Sequence, residues 1–256
     1  MKIRSVLVAL SLCAIAASPA AASVHAPAAM AAVDANKILA EIDRRASVFE
    51  DQQYSATMAI YKGAELKKTL EFEMTMKGLD KQFIVFTAPG DVAGMKVLME
   101  GADTLYVYTP EFKKVRRVAA HMQNQGFMGS TFTYEDQTRV RMAPYYDATL
   151  AGKEGSETTL TLVPKEGVTS GYARIDVVID GTKGGVTKLR YYDGTGNHVR
   201  TQTREDWVKI EGELMPTKIT MTDLKEGNST IIQLSNVRVN QGVEDDLFSR
   251  RMLLRG

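Results

Sequence analysis

Short runs in which apolar and polar residues alternate fill most of this chain, and they limit it to a β-sheet fold. From Gln53 onward the period is two, which places every second side chain on the same face of a strand. The first two runs carry Tyr54, Ala56, Met58 and Ile60, then Leu70, Phe72, Met74 and Met76. Residues 62–65 (KGAE) lie between these runs, so they predict a hairpin connection.

Further runs of the same kind continue to the C-terminus, and glycine or proline separates several of them. They are residues 82–87, 95–100, 104–108, 114–119, 146–151, 158–163, 173–179, 186–192, 199–208, 214–222 and 229–237. Strands at this spacing with short turns predict an antiparallel meander, in a sandwich or a barrel. Because helices do not alternate with the strands, a parallel nucleotide-binding sheet is not expected.

Two segments show helical rather than strand spacing. Ile38, Ile42, Ala46 and Phe49 recur on one side of residues 34–50, which predicts an amphipathic helix that Asp34 can cap. A second, short helix is predicted over residues 134–142, because acidic residues begin that segment and arginines end it.

The N-terminus has the pattern of an export signal. Lys2 and Arg4 precede an apolar run at residues 6–17, and Ala20-Ala21-Ala22 offers a cleavage site. The apolar run is shorter than the roughly 20 residues that span a bilayer. We therefore expect a signal peptide at 1–22, a flexible leader at 23–33, a single β domain at 34–256, and a periplasmic location. Cys13 lies inside the signal, so the mature chain would have no cysteine.

Charge and chemistry point away from nucleic acid and from catalysis. Without Lys2 and Arg4 the basic residues fall from 32 to 30, against 31 acidic ones, so no bulk attraction to nucleic acid is expected. The three histidines lack partners at metal-ligand spacing, and no Gly-x-Ser-x-Gly elbow is present. The adjacent acids Glu205-Asp206 and Asp245-Asp246 are interpreted as solvated charge. We predict no catalytic residue, no metal and no cofactor.

Methionines and aromatic residues on the strand patterns suggest an apolar cavity. Methionine is flexible and suits surfaces that accept variable apolar partners. The candidate lining residues are Met58, Ile60, Phe72, Met74, Met76, Met95 and Leu105. Phe127, Met128, Phe132 and Tyr134 are candidates for an inward-facing lid, with Gly126 and Gly129 as hinges. The alternatives are ordinary core packing for the strand residues and a fixed connecting loop for the lid.

A basic cluster precedes the lid segment. Lys113, Lys114, Arg116 and Arg117 flank Val115, and such a cluster could contact phosphate head groups or an acidic surface on a membrane partner. The alternative is a charged edge strand that resists aggregation.

The run that follows this cluster, residues 126–136 (GFMGSTFTYED), resembles the periplasmic outer-membrane lipoprotein-sorting family, relatives of the carriers LolA and LolB. Thr131 stands where that family usually has an aspartate. Residues 89–95 (PGDVAGM), 105–110 (LYVYTP) and 244–249 (EDDLFS) extend the resemblance in the same order, as do Trp207, residues 215–216 (MP) and residues 219–223 (ITMTD).

The resemblance implies a mainly β protein, an unclosed antiparallel β-barrel (half-barrel) with a helical lid or plug. It implies a carrier that binds lipid or lipoprotein acyl chains beside an inner-membrane exporter of the RND or ABC type, and no enzyme activity. We expect a monomer. The alternatives are a binding module that senses mislocalised lipoprotein, and a hydrolase of envelope material.

Overall fold

The structure is a computed structural model that describes residues 34–101, 104–119, 122 and 124–255. The predicted signal peptide, the leader and His121 lie outside the described residues. The helices are α1 (Ala35–Ala46), α2 (Tyr134–Thr138) and α3 (Arg250–Leu254), with single 3₁₀ turns at Phe127–Gly129 and Asp245–Phe248. The strands are β1 (Asp51–Lys62), β2 (Glu65–Lys77), β3 (Lys81–Ala88), β4 (Lys96–Glu100), β5 (Leu105–Thr109), β6 (Lys114–Arg117), β7 (Tyr146–Glu154), β8 (Glu157–Pro164), β9 (Arg174–Asp180), β10 (Gly185–Tyr192), β11 (His198–Ile210), β12 (Glu213–Asp223) and β13 (Ser229–Val239).

All thirteen of these strands form one antiparallel sheet. Their order is β6-β5-β4-β3-β2-β1-β13-β12-β11-β10-β9-β8-β7, so the first and last strands of the sequence meet at its centre. The edge strands β6 and β7 are not paired with each other within the described part of the chain. The sheet is therefore an unclosed barrel, which confirms the predicted fold class.

The predicted strands and the first hairpin are confirmed. Lys62 and Glu65 pair across the turn, and Gly63 between them has a φ of +57°, which glycine adopts at little steric cost. The alternation of β1 and β2 also matches the pairing, because Met58 pairs with Leu70, and Ala56 with Phe72. All four of these side chains are buried.

Helix α1 is shorter than the prediction of 34–50. Asp34 caps it as expected, its carboxylate accepting from the Lys37 amide at 3.3 Å. The helix ends at Ala46 because the Ser47 hydroxyl donates to the carbonyls of Asp43 and Arg44, and such bonds compete with helix continuation. Phe49 is buried but lies beyond the helix.

Helix α2 is also shorter than predicted, since it ends at Thr138 rather than at residue 142. Thr133 and Asp136 form a capping box at its start, which satisfies amides that the helix cannot. At its end Arg139 leaves helical geometry, and its guanidinium donates to Glu135 at 2.6 Å and to the Thr169 carbonyl at 2.6 Å. These bonds replace a further helical turn.

Hydrophobic cores lie on both faces of the sheet. The larger one, on the inner face, joins the sheet to α1 and to the segment 127–142. A smaller one on the outer face joins Phe83 of β3 and Leu98 of β4 to Phe248 and Leu253 near the C-terminus. The C-terminal segment thus covers the outside of β3 to β6, while α1 and α2 lie inside the curved sheet.

Candidate functional site

A cavity of about 550 Å³ lies between the inner face of the sheet and its helical cover. This volume falls within the range of roughly 300–1,000 Å³ that is typical of ligand pockets. Its walls come from β1 to β3 and β10 to β13, and its cover comes from the C-terminal end of α1 and the segment 127–140. The arrangement is the hollow between sheet and cover that the resemblance implies.

The wall of the cavity on the β1–β2 side is rich in methionine. Met58, Met74 and Met76 line it, and Met215 of β12 joins them across the cavity. The Tyr54 hydroxyl donates to the Met74 sulfur at 2.9 Å, which satisfies this polar group inside an apolar wall. A surface of flexible thioether side chains can adapt to apolar ligands of different shape.

Six of the sequence-predicted cavity and lid residues line this cavity. They are Met58, Phe72, Met74, Met76, Phe127 and Phe132. Period-two alternation identified the four on β1 and β2, because it reports the face of a strand, whereas Phe127 and Phe132 were predicted from the lid segment.

The remaining five predicted residues, Ile60, Met95, Leu105, Met128 and Tyr134, pack in the inner core and do not line the cavity. Leu105 faces inward opposite Met99, but on β5, near the sheet edge. Tyr134 packs edge-on against Phe127, with ring centroids 5.5 Å apart. Alternation could not separate these residues from the others, since it carries no information on position relative to the cavity.

The segment 126–133 is a hydrogen-bonded loop that is docked on the sheet. The Phe127 amide donates to the Phe132 carbonyl at 2.6 Å. The Thr131 amide donates to Thr230 and its hydroxyl to the Met221 carbonyl, each at 3.0 Å. In place of the family's usual aspartate, Thr131 therefore fastens the loop to β12 and β13.

Glycine is favoured at two positions of this loop for different structural reasons. Gly129 has a φ of +79°. Gly126 has an ordinary φ of −61°, but a Cβ there would lie 2.7 Å from the Ser130 carbonyl oxygen. The predicted hinge role of Gly126 thus finds no support in its backbone angles, and the structure requires glycine there for close approach.

Buried carboxylates hold the cover in place. Asp43 of α1 accepts from the amides of Met142 and Ala143. Glu135 of α2 accepts from Arg139 at 2.6 Å, from the Ser170 hydroxyl at 2.5 Å and from the Gly171 amide at 2.8 Å. Because these groups are satisfied by hydrogen bonds, they fix the cover without needing close apolar packing beneath it.

Asp136 is a buried carboxyl that also lines the cavity. It accepts from the Thr133 amide at 2.7 Å and from the Tyr172 hydroxyl at 3.1 Å, and Arg200 lies 4.0 Å away. Burial outweighs these favourable contacts and raises the pKa of Asp136 to about 6. The group therefore changes charge close to neutral pH.

Sequence reasoning did not single out the polar residues on the opposite wall. Gln202 and Arg204 of β11 both line the cavity, and the Arg204 Nε donates to the Gln202 Oε1 at 3.0 Å. Burial lowers the pKa of Arg204. Their spacing of two residues within a strand pattern could have identified them as a pair, because it puts both side chains on one face of the strand.

The mouth of the cavity lies between the end of α1, the β9–β10 turn and the β11–β12 hairpin. Arg44, Arg45 and Lys183 reach it, beside the exposed apolar side chains of Val48 and Leu214. Arg45 approaches the turn so closely that a Cβ on Gly184 would lie 2.9 Å from its Nη1. The rim thus combines cationic and apolar groups.

The predicted head-group cluster lies elsewhere. Lys113, Lys114, Arg116 and Arg117 are exposed residues on β6 and in the turn before it, and none of them lines the cavity. Since β6 is an edge of the sheet, their position fits the alternative of a charged edge strand that discourages pairing with other chains.

Within the described ranges, no group of three or more His, Cys, Asp or Glu side chains is placed to hold a metal ion. Nor does that part of the chain include a helix with the length and apolar character needed to cross a membrane.

The unclosed antiparallel sheet with its internal cavity is the fold of the LolA superfamily. A LolA superfamily protein from Nitrosomonas europaea matches with a TM-score of 0.71 and 22% identity, over 86% of this chain and 100% of its own. This match shows a shared fold, and the resemblance to the lipoprotein-sorting family is confirmed by a second match, to a lipoprotein-sorting domain at 25% identity.

Two other solved structures match with a TM-score of 0.79. One is a DUF1329 family protein from Desulfovibrio piger, at 26% identity over 85% of this chain and 97% of its own. The other is a putative outer membrane lipoprotein-sorting protein domain from Vibrio parahaemolyticus, at 25% identity over 86% and 98%. A family model described as "Uncharacterized protein" matches residues 78–255, and the chain belongs to that family. No curated protein matches the chain at a significant level.

Proposed function

We propose that this protein is a periplasmic carrier that shelters acyl chains of a lipid or lipoprotein in the cavity. The observation that carries the proposal is the methionine-rich, 550 Å³ hollow under a cover held by polar contacts. Burial of each CH₂ group yields about 0.8 kcal/mol. A long chain therefore binds usefully even in a cavity with little directional chemistry.

The similarity to a lipoprotein-sorting domain supports this role, and the signal pattern at residues 1–22 supports the periplasmic location. In this proposal the protein binds and transfers its ligand without catalysis. An inner-membrane exporter of the RND or ABC type would supply the ligand, and the carrier would act as a monomer.

The first test is to ask whether the protein retains a lipid. We expect organic extracts of purified protein to contain an amphiphile by mass spectrometry. We also expect the delipidated protein to bind a neutral naphthylamine fluorophore that acyl chains displace.

Filling the cavity should abolish this binding. Met74→Trp and Ile232→Trp place bulk in the lining, whereas Leu150→Trp adds the same bulk at an exposed site on β7 outside it. We expect at least a tenfold loss of fluorophore affinity in the two cavity variants, about 1.4 kcal/mol, and none in the control. Thermal unfolding would verify that all three remain folded. Folded cavity variants that bind like the wild type would refute the proposal.

A further inference from the structure

Arg204 places a positive charge inside an apolar wall. Arg204 pairs with Ile219 of the neighbouring strand, Ile219 pairs with Ile232, and Ile232 pairs with Met58. All four residues line the cavity. The half-buried Arg204 thus lies on the same inner surface as the methionine side chains.

This guanidinium has few partners. Its Nε donates to Gln202, and the Gln202 amide nitrogen in turn lies 3.5 Å from the Tyr191 hydroxyl, so Gln202 orients the head of Arg204. Among the described residues no carboxylate lies within 4.0 Å of Arg204, and neither Nη1 nor Nη2 makes a hydrogen bond. The two terminal nitrogens of this charged group, with four N–H donors between them, remain available.

Two other arginines held inside the fold are paired. Arg139 binds Glu135 at 2.6 Å, and Arg200 lies 3.6 Å from Asp223 and 4.0 Å from Asp136. Such pairing is the usual condition for burying a charge, because an uncompensated one is costly. Arg204 differs from both of them. Its Nη1 and Nη2 atoms have no carboxylate partner among the described residues, and its side chain lines the cavity.

The other cations that line the cavity have acidic partners, and its buried carboxyl is hydrogen-bonded. Lys183 lies 3.4 Å from Asp180. Asp136 is hydrogen-bonded by Thr133 and Tyr172. At the mouth, Arg44 and Arg45 both bind Glu41. Arg204 is therefore the site in the cavity best suited to receive an anion from a ligand.

We propose that the cavity takes an amphiphile with an acidic head group, a carboxylate or a phosphate, and binds it head inward against Arg204. The Nη1 and Nη2 atoms donate two parallel hydrogen bonds to the anion. The tail then lies along the wall formed by Met58, Met74 and Met76. This assignment rests on the proposed carrier function and adds the head-group class and the direction of insertion.

The test compares three probes with the same sixteen-carbon tail. Hexadecanoate carries a carboxylate, palmitoyl lysophosphatidate a phosphate, and hexadecanol no charge. Each would be titrated against the delipidated protein by displacement of the neutral fluorophore. The variants are Arg204→Met, which keeps the length without charge, and Arg204→Lys. Arg116→Met, at an exposed position on β6 outside the cavity, is the matched control.

For the wild type we expect at least one acidic probe to bind ten times or more tighter than hexadecanol. Arg204→Met should remove this difference while hexadecanol binding stays unchanged. Arg204→Lys should restore part of it, and Arg116→Met should leave it intact. A gain confined to hexadecanoate identifies a carboxylate head, and one confined to lysophosphatidate identifies a phosphate.

Two outcomes would overturn the inference, and they differ in what else they affect. If Arg204→Met binds all three probes like the wild type, the head-inward assignment fails and the carrier proposal stands. If the wild type binds none of the probes and no fluorophore, both proposals fail together.

Discussion

Strand β3 buries side chains on both of its faces, but the two faces are covered in different ways. On the outer face Phe83 packs with Leu98, Phe248 and Leu253, all at most 6% exposed. On the inner face Ile84 borders a cavity of about 550 Å³. The same strand therefore has a closely packed cover on its outer face and a cavity under the cover of its inner face.

The difference lies in how each cover is attached. The outer cover, the C-terminal segment, also has a buried carboxylate at its start, where Asp51 accepts from the amides of residues 241–243. Beyond that point, apolar side chains fill its contact with the sheet. The inner cover is tied down at particular points by the carboxylates of Asp43 and Glu135. Because those hydrogen bonds hold the cover without filling the space beneath it, the protein can keep a hollow and remain folded.

The inner anchor at Glu135 gives the largest expected effect. Glu135→Ala leaves the buried Arg139 without its carboxylate, and breaking a buried pair in this way costs about 3–5 kcal/mol. We expect the free energy of unfolding in urea to fall by that amount.

Glu41→Ala is the control for this variant, because Glu41 likewise forms ion pairs with arginine, here Arg44 and Arg45, but on the surface. It should leave the unfolding midpoint nearly unchanged. Equal effects of the two variants would show that the inner cover does not depend on its buried anchor.

The outer cover should respond to loss of apolar volume. Leu253→Ala removes a fully buried side chain, and we expect about 2–5 kcal/mol of destabilisation by chemical denaturation. Leu254→Ala, at a neighbour that is 61% exposed, should change stability by less than about 0.5 kcal/mol. If Leu253→Ala were equally mild, the C-terminal segment would not be a true cover.

Only the inner side should show a pH response from Asp136. Its pKa is raised from 3.8 to about 6 in the folded protein, so the folded state holds this proton more tightly than the unfolded chain. The proton on Asp136 therefore stabilises the folded state fully below about pH 4. This stabilisation, about 3 kcal/mol in all, is lost as the pH rises through 6.

Asp136→Asn removes this titration. The difference in unfolding free energy between wild type and variant should therefore change between pH 4 and pH 7, with the wild type losing stability relative to the variant as the pH rises. Leu253→Ala, on the outer side, should show the wild-type pH dependence. Parallel curves for wild type and Asp136→Asn would contradict the raised pKa.

The smallest effect is expected from surface charge on the outer cover. Asp245 lies 2.9 Å from Lys81 and 3.3 Å from Lys77, but it is well exposed. Asp245→Asn should shift the unfolding midpoint less than any of the buried changes, and high salt should remove the shift. A salt-independent loss would mean that Asp245 helps to hold the C-terminal segment.

The sequence predicted the strands well because their signal is local. Alternation identified β1 to β13 and grouped Met74 and Met76 on one face of β2, which the structure shows to be the inner face. The helix ends were predicted less well. Ser47 and Arg139 end α1 and α2 through hydrogen bonds that hydrophobic spacing does not report.

The sequence by itself determined the strands, the side chains that share a face of each strand and, through residues 126–136, the likeness to lipoprotein-sorting proteins. The tertiary structure decided which inward residues border the hollow and that Arg204, rather than the basic cluster on β6, brings a charge into it. The physical reason is that the pleat of a strand repeats every two residues along the chain. A cavity instead depends on the gap between elements far apart in sequence, such as α1, β2 and β11.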